Sequence, residues 1–297
     1  MHDWKKMKKF QILIPVYNDW PSVLKLLDNI DSEIEKLDGE FSILIVNDGS
    51  TEKIPEVKKI QKNIKSIKIM NMKKNQGHTR SNATGIKYLS EKGNFDYLII
   101  MDGDGEDRPE EIKLLVNKIL NNENISVVAK RIKRSEGMVF AILYNLHKLI
   151  TLIFTGKNMN FGHYTCLTKN DVNKISKEKG LWCNYSGTLK KTINKLDSIP
   201  CIRGKRYVQP SKMSFTNLII HSFSILAIFK YGVLFRSVLF FLILFLFFPN
   251  PTAIFLQLFL IIFTSIVFFI SKRESEAGLA NCTNQINNVI NINTDRL

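Results

Sequence analysis

The sequence predicts an α/β chain, a mainly parallel sheet with helices on both faces, that ends in an amphipathic helix and a two-helix transmembrane hairpin. Three observations carry this. Short apolar runs alternate with segments of helical period through the first half of the chain, which specifies parallel strands joined by crossover helices. Polar and acidic residues collect just after those runs, at Asn18-Asp19, Asn47-Asp48 and Asp102 to Asp107, the edge of an open α/β sheet where ligands bind. Residues 233–270 are almost wholly apolar, unlike the two hundred before them.

Each element has its own signal. FQILIPVYN from Phe10 is a short apolar run stopped by a proline, a buried strand, and residues 20–37 then carry apolar positions at helical spacing. Residues 41–46 form a second buried strand ending in Asn-Asp-Gly-Ser turn chemistry. Further strands are predicted at 67–72, 95–101 and 125–129, with helices over 79–90 and 109–121 between them. Residues 138–155 read as an apolar helix, 157–212 are mixed, and a strand is expected near 164–168. From Phe215, the residues Phe215, Leu218, Ile219, Phe223 and Leu226 share one helical face, as in a helix lying on a bilayer. Two spans follow, 231–248 and 252–270, parted by Pro249-Asn250-Pro251, each approaching the ~20 residues needed to cross the hydrocarbon. Lys230 and Arg236 before the pair and Lys272 and Arg273 after it predict that both outer ends are cytoplasmic, with Arg236 reaching the headgroups. The Asn-rich stretch from Glu274 shows no period and is expected to be a poorly ordered polar tail. The domain organisation is therefore a catalytic-type domain over 1–214, an interfacial helix over 215–230, the hairpin over 231–271 and a cytoplasmic tail over 272–297.

Composition narrows the function. Lys and Arg number 42 against 27 Asp and Glu, a net charge of +15, but the lysines are scattered and no RNA-binding aromatic signature or paired Cys/His accompanies them. An anionic membrane surface and phosphorylated ligands are the partners expected, and nucleic acid is not. The four cysteines, Cys166, Cys183, Cys201 and Cys282, form no C-x-x-C pair, so zinc and redox motifs are unsupported and reduced thiols are expected. The basic opening residues run into a strand instead of an apolar segment, so no signal peptide is expected.

The residues with the clearest chemistry are Asp102 and Asp104, a D-x-D at the end of a buried strand. Two carboxylates so spaced can share a hard divalent cation and, through it, the phosphates of a nucleoside diphosphate. Around them lies an ordered set: PVYND from Pro15 to Asp19, IVNDGST from Ile45 to Thr51, NQGHTRSNATG from Asn75 to Gly85 and MDGDGEDRPEE from Met101 to Glu111.

In order and spacing this set resembles the family 2 glycosyltransferases of Rossmann-like GT-A fold, and most nearly their polyprenyl-phosphate branch, typified by dolichol-phosphate mannose synthase. The resemblance extends over about Phe10 to Arg273. It implies an inverting transfer of a sugar from a UDP- or GDP-sugar to a polyprenyl phosphate at the cytoplasmic membrane face, in cell-envelope polysaccharide biosynthesis. Mg²⁺ or Mn²⁺ would be held by Asp104 with Asp102 and Glu106, the last standing where the branch has a glutamine. Pro15, Tyr17, Asp19, Asp48 and Gly77 match donor-binding positions, Arg131 and Arg134 match phosphate-facing arginines, and Arg206 and Lys212 fall in RYVQPSKMS, which resembles a phosphate-binding segment ahead of the membrane helices. Asp104, Arg131 and Lys212 are the residues implied to act in the reaction. One departure stands out: where the branch has G-D-F-R, this chain has Gly162-His163-Tyr164-Thr165. Two alternatives stay open. One is a family 2 enzyme acting on a sugar hydroxyl, for which Asp171 is the carboxylate base at hand, and the other is a non-catalytic membrane-anchored binding module. A homo-oligomer is also compatible.

Overall fold

The computed structural model describes residues 7–55, 61–133, 138–208, 214–248 and 250–292, so Arg134 and Lys212 lie outside the described residues. Strand β1 (Lys9–Val16), helix α1 (Trp20–Ile34), β2 (Glu40–Asn47), β3 (Ile64–Met72), α2 (His78–Lys92), β4 (Tyr97–Ile100), α3 (Ile112–Asn121) and β5 (Val127–Lys133) form the first half. There follow α4 (Met138–Thr155), β6 (Phe161–Thr168), α5 (Lys169–Ile175), α6 (Tyr185–Thr192), β7 (Asp197–Ile202), α7 (Phe215–Ile228), α8 (Lys230–Phe247), α9 (Pro251–Ser271), α10 (Glu276–Ala280) and β8 (Ile286–Ile292).

The strands make one sheet in the order β7-β5-β6-β4-β1-β2-β3-β8. The pairs β1–β2, β1–β4, β2–β3 and β5–β7 are parallel, while β6 runs against β4 and β5 and β8 against β3. The order reverses at β1, which lies between β2 and β4, so the crevice at the carboxyl ends of β1 and β4 is the switch point where α/β sheets bind ligands.

Alternation along the strands builds two cores. Phe10, Ile12, Ile14 and Val16 of β1 face α1 and α3, meeting Val23, Leu26, Leu27 and Ile30 and then Leu115, Val116 and Ile119. Leu13, Leu44 and Val46 point the other way, against Ala83, Ile86 and Leu89 of α2. Burying each such Leu, Ile or Val contributes about 1.5–3 kcal/mol, which fixes the register of the central strands. Gly85 lets α2 come down on the sheet, since a Cβ there would sit 2.5 Å from Leu13 Cδ1.

Three features depart from expectation. Residues 286–292 of the polar tail form a strand, not a disordered segment: β8 adds to the sheet edge, pairing Ile69 with Ile290 and Asn71 with Asn288. Its sequence, INNVINI, lacks clean alternation, and what stabilises it is pairing to β3 together with an amide ladder. Asn47 Nδ2 donates to Asn71 Oδ1 (2.8 Å) and Asn71 Nδ2 to Asn288 Oδ1 (2.7 Å). Second, α7 does not lie free along its apolar face. Its last turns, Ser224 to Ile228, are buried, with Leu226 and Phe223 packed against Phe263 of α9. Third, α4 bears exposed Ile142, Leu146, Leu149, Leu152 and Ile153 beside the hairpin, its Phe154 ring meeting Phe240 at 5.7 Å and Phe263 at 4.6 Å.

Helices α8 and α9 are long and apolar enough to cross a membrane, and α8 buries only Val233 and Ser237. Asn250 caps α9 by accepting from the Ala253 amide (2.9 Å), with Pro251 pre-set for the first turn, so the reversal between them is sharp. Because β8 returns to β3 after α9, both ends of the hairpin attach to the same domain. Arg236 lies with its guanidinium against Gly156, at the end of α4.

Candidate active site

The loops after β1, β2 and β4 meet at the switch point, each braced by a polar side chain. Asn18, in a left-handed conformation (φ 48°), accepts from the Thr51 amide (2.8 Å), and its own amide donates to Ser50 Oγ (3.0 Å), which joins PVYND to NDGST. Asp48 is buried and accepts from the amides of Gln76 (2.8 Å) and Gly77 (2.9 Å), clamping the turn ahead of α2. Burial raises its pKa, opposed by those same hydrogen bonds. Gly77 needs its φ of +87°, and a Cβ there would meet nothing within 4 Å, so the turn borders open space at the amino terminus of α2. Pro15 is buried near the end of β1, its carbonyl against Gly103, while Tyr17 is exposed and Asp19 stands at the start of α1 with a buried Oδ1.

After β4, the Asp102-Gly103-Asp104 loop turns its two carboxylates toward different partners. Asp102 Oδ1 lies 3.3 Å from His78 Nε2, and the Asp102 amide donates to Asp107 Oδ2 (3.0 Å). Asp104 Oδ2 pairs with Arg206 Nη1 (2.9 Å) while its Oδ1 accepts from the Glu106 amide (3.0 Å). Glu106 is held by the guanidinium of Arg203, with Arg206 Nε 3.4 Å away. The segment bearing these arginines is pinned to the loop by backbone bonds, Gly204 N to Glu106 O (2.8 Å) and Tyr207 N to Asp104 O (3.0 Å). Gly105 is in the left-handed region (φ +86°) with the Tyr207 ring against it, where a Cβ would come to 2.6 Å.

Burial and the neighbouring carboxylates set the charges. Burial and the charge of Asp102 push Asp104 up to about 6 and Asp107 up to about 7. Burial would raise Asp102 too, but His78 beside it holds its carboxyl well below the usual range. Arg131 faces the same group, its Nη2 3.9 Å from Asp107 Oδ1 and its guanidinium across Gly162.

Of the residues predicted from sequence, Asp102, Asp104, Glu106, Arg131 and Arg206 converge on this loop, with Asp48, Gly77 and Asp19 around its rim. Four participants were not assigned from sequence: His78, Asp107, Arg203 and His221. His78 and Asp107 sit inside motifs that were read, and Arg203 lies three residues before Arg206, a spacing that only the loop's close return makes meaningful. His163, at the altered Gly162 to Thr165 segment, packs edge to face on His78 (4.6 Å) and stacks on Tyr185 (5.3 Å). Burial lowers its pKa to about 3. His221 of α7 is felt here as well: burial lowers it to about 4, with His78, His147 and Arg131 adding to the depression.

Asp171 is elsewhere. It lies in the first turn of α5, which Thr168 caps by accepting from the Asp171 amide (3.2 Å), and it accepts from Ser126 Oγ (2.6 Å); Thr168 pairs with Tyr97 at the start of β4, whereas the site lies past the end of β4. The antiparallel course of β6 thus puts Asp171 at the opposite edge of the sheet from Asp102.

A divalent cation fits this donor set. Asp104 and Glu106 already draw a guanidinium between them, and Asp102 has His78 Nε2 3.3 Å away, so concentrated negative charge faces the crevice.

Comparison with known proteins agrees with the geometry. A family model described as glycosyl transferase family 2 matches residues 11–183. An undecaprenyl-phosphate 4-deoxy-4-formamido-L-arabinose transferase of Salmonella choleraesuis (strain SC-B67) is 28% identical over 229 residues, spanning 74% of this chain and 67% of that protein. Its counterpart in Salmonella newport (strain SL254) matches equally, at 28% over 229 residues. Among solved structures, glucosyl-3-phosphoglycerate synthase from Mycobacterium tuberculosis, in complex with Mn²⁺, UDP-glucose and phosphoglyceric acid, superposes with a TM-score of 0.54 at 12% identity, covering 76% of this chain and 80% of that one. The same protein with Mn²⁺, UDP and phosphoglyceric acid gives 0.53 at 13% identity, covering 76% and 78%. The fold is GT-A.

Proposed function

The chain belongs to glycosyl transferase family 2 and is a glycosyltransferase; from that premise we propose that it transfers a sugar, with inversion, from a UDP- or GDP-sugar to a polyprenyl phosphate at the cytoplasmic face of a membrane. The observation that carries the acceptor is the position of the site. Helix α7, whose last turns pack on α9, carries His221 within the field of His78 and Asp102, and His163 stands where the hydroxyl-acceptor reading requires a carboxylate. With Asp171 at the far edge of the sheet, that reading lacks its base. A phosphate monoester needs none, because its second pKa near ~6 leaves it anionic at neutral pH. The Salmonella relatives, named for transfer to undecaprenyl phosphate, support the same acceptor.

The residues divide the work. Asp48 and Asn18 hold the donor-side turns, and Gly77 leaves space at the amino terminus of α2, where the helix dipole favours a diphosphate. A divalent cation, Mg²⁺ or Mn²⁺, held by Asp104 with Asp102 and Glu106 would neutralise charge on the leaving nucleoside diphosphate. Arg206 releases Asp104 and Glu106 as phosphates enter, and it turns with Arg131 toward them; Lys212 and Arg134 are assigned the same task by sequence alone. An oxygen of the lipid phosphate attacks the anomeric carbon as the bond to the nucleoside diphosphate breaks, a single displacement that inverts that carbon. Intact Asp102 and Asp104 argue against a non-catalytic module.

The hairpin α8–α9 and the apolar faces of α4 and α7 set the height of the site at the interface, where the lipid phosphate resides. Lys230, Lys272 and Arg273, at the ends nearest the domain, favour a cytoplasmic domain. Detergent-solubilised protein with undecaprenyl phosphate, a nucleotide-sugar panel and Mg²⁺ or Mn²⁺ is expected to yield a glycosylated lipid by mass spectrometry. Glycosylation of a hydroxyl acceptor with none of the phosphate would replace this reading by the glycan-extending one.

A further inference from the structure

The histidine side of the loop has no part in the reaction as proposed, yet it is built. The chain has five histidines, and His78 and His163 are brought together from α2 and β6, elements 85 residues apart in sequence. His163 Nε2 is buried and has no hydrogen-bond partner among the described residues, an arrangement that favours a ligand on that nitrogen. The donor atoms of His78, His163 and Asp102 all lie within 4.8 Å of one another. His78 Nε2 is the nitrogen nearest Asp102, and Asn82 Nδ2 also approaches it, at 3.1 Å.

We propose that His78, His163 and Asp102 form a binding site for a transition-metal dication, adjoining the carboxylates that face Arg206. Metal–imidazole bonds of about 2.0–2.1 Å put tetrahedral donor atoms about 3.4 Å apart, so side-chain rotations of roughly an ångström close the triad. Two imidazoles and one carboxylate select ions such as Zn²⁺ or Co²⁺, whereas Mg²⁺ and Mn²⁺ keep to oxygen and water. The stacking of His163 on Tyr185, whose hydroxyl meets Thr165 Oγ1 at 2.6 Å, fixes one ring, and its place at the first residue of α2 fixes the other. The Gly162 to Thr165 segment, which departs from the G-D-F-R pattern, thereby acquires a role: His163 supplies a nitrogen donor in place of an acid.

The test is the coordination itself, measured on full-length protein in detergent after chelator treatment. With excess Mg²⁺ filling the carboxylate side, pulsed EPR with one equivalent of Co²⁺ is expected to show imidazole nitrogen couplings, and Zn²⁺ titration by calorimetry a site that the Mg²⁺ does not displace. His163→Ala and His78→Ala are expected to remove the couplings and weaken Zn²⁺ by about tenfold or more, with His163→Asn as the substitute if alanine fails to fold. Oxygen-only coordination in the wild type, or variants that bind Zn²⁺ as tightly as it does, would overturn the site. The inference shares a loop with the proposed reaction but not its acceptor. Nitrogen coordination in a protein that makes no glycolipid would uphold the site and remove the reaction, and glycolipid formation with oxygen-only coordination would do the reverse.

Discussion

Asp102 and Asp104 are two residues apart on one loop and live in different surroundings. Asp104 faces Arg206 and is pushed up to about 6 by burial and by Asp102, whereas Asp102 faces His78 and is held low. A D-x-D at a strand end is therefore not a symmetrical pair. Both residues lie past the end of β4, in a turn, and what each carboxylate meets there, arginine from the 203–207 segment or histidine from α2 and β6, decides its charge.

The most severe way to break the comparison is Asp104→Ala. It leaves Arg206 and the Asp102 side in place but removes the carboxylate nearest the phosphate-facing arginine, and the expected loss in kcat/KM for glycolipid formation is about 10²–10³-fold. Wild-type turnover in the same membranes would move the reaction's electrostatics to the histidine side. Arg206→Ala sharpens the comparison with a smaller effect. Without the guanidinium 2.9 Å away, Asp104 loses a partner that lowers its pKa, so its protonation shifts to higher pH. The expected outcome is about tenfold lower kcat/KM, with the acid limb of the pH–rate profile displaced upward. An unchanged profile would show that Arg203 alone governs this side.

How far the sequence could be read follows the same division. The central strands announce themselves because each is a continuous apolar run buried on both faces, and the acids after β4 follow directly from where that run stops. Arg131 and Arg206 came from motif order, and both lie beside the loop after β4. The histidine side was not legible, because His78 and His163 come together only through β6 running antiparallel beside β4, a pairing that periodicity does not specify. Strand β8 was missed for a related reason. INNVINI has the amides of a loop, and only the partners Asn71 and Ile69 on β3 turn it into a strand.

The smallest expected effect, and the one that tests the histidine side most directly, is the pH dependence of the His78–Asp102 pair in chelator-treated protein. Burial works against a charge on His78, but Asp102, Asp104 and Asp107 around it raise its pKa above the ordinary 6.5. A raised folded-state pKa means that protonation stabilises the fold: this contribution is fully present below pH 6.5 and is lost as pH rises through the raised value. Asp102 has the opposite sign, its contribution being present above its ordinary 3.8 and lost as pH falls through its depressed value. The gap in melting temperature between wild type and Asp102→Asn is therefore expected to be widest between these two ordinary values and to narrow toward alkaline pH. The His78 side chain is 43% exposed, so solvent screens the pair and the gap is expected to be small. An NMR titration fixes the assignment, with the His78 ring expected to titrate above 6.5 in the wild type and lower in Asp102→Asn. A His78 pKa that does not respond to that substitution would mean that Asp102 is held down by the arginines after all, and the contrast between the two sides of the loop would collapse.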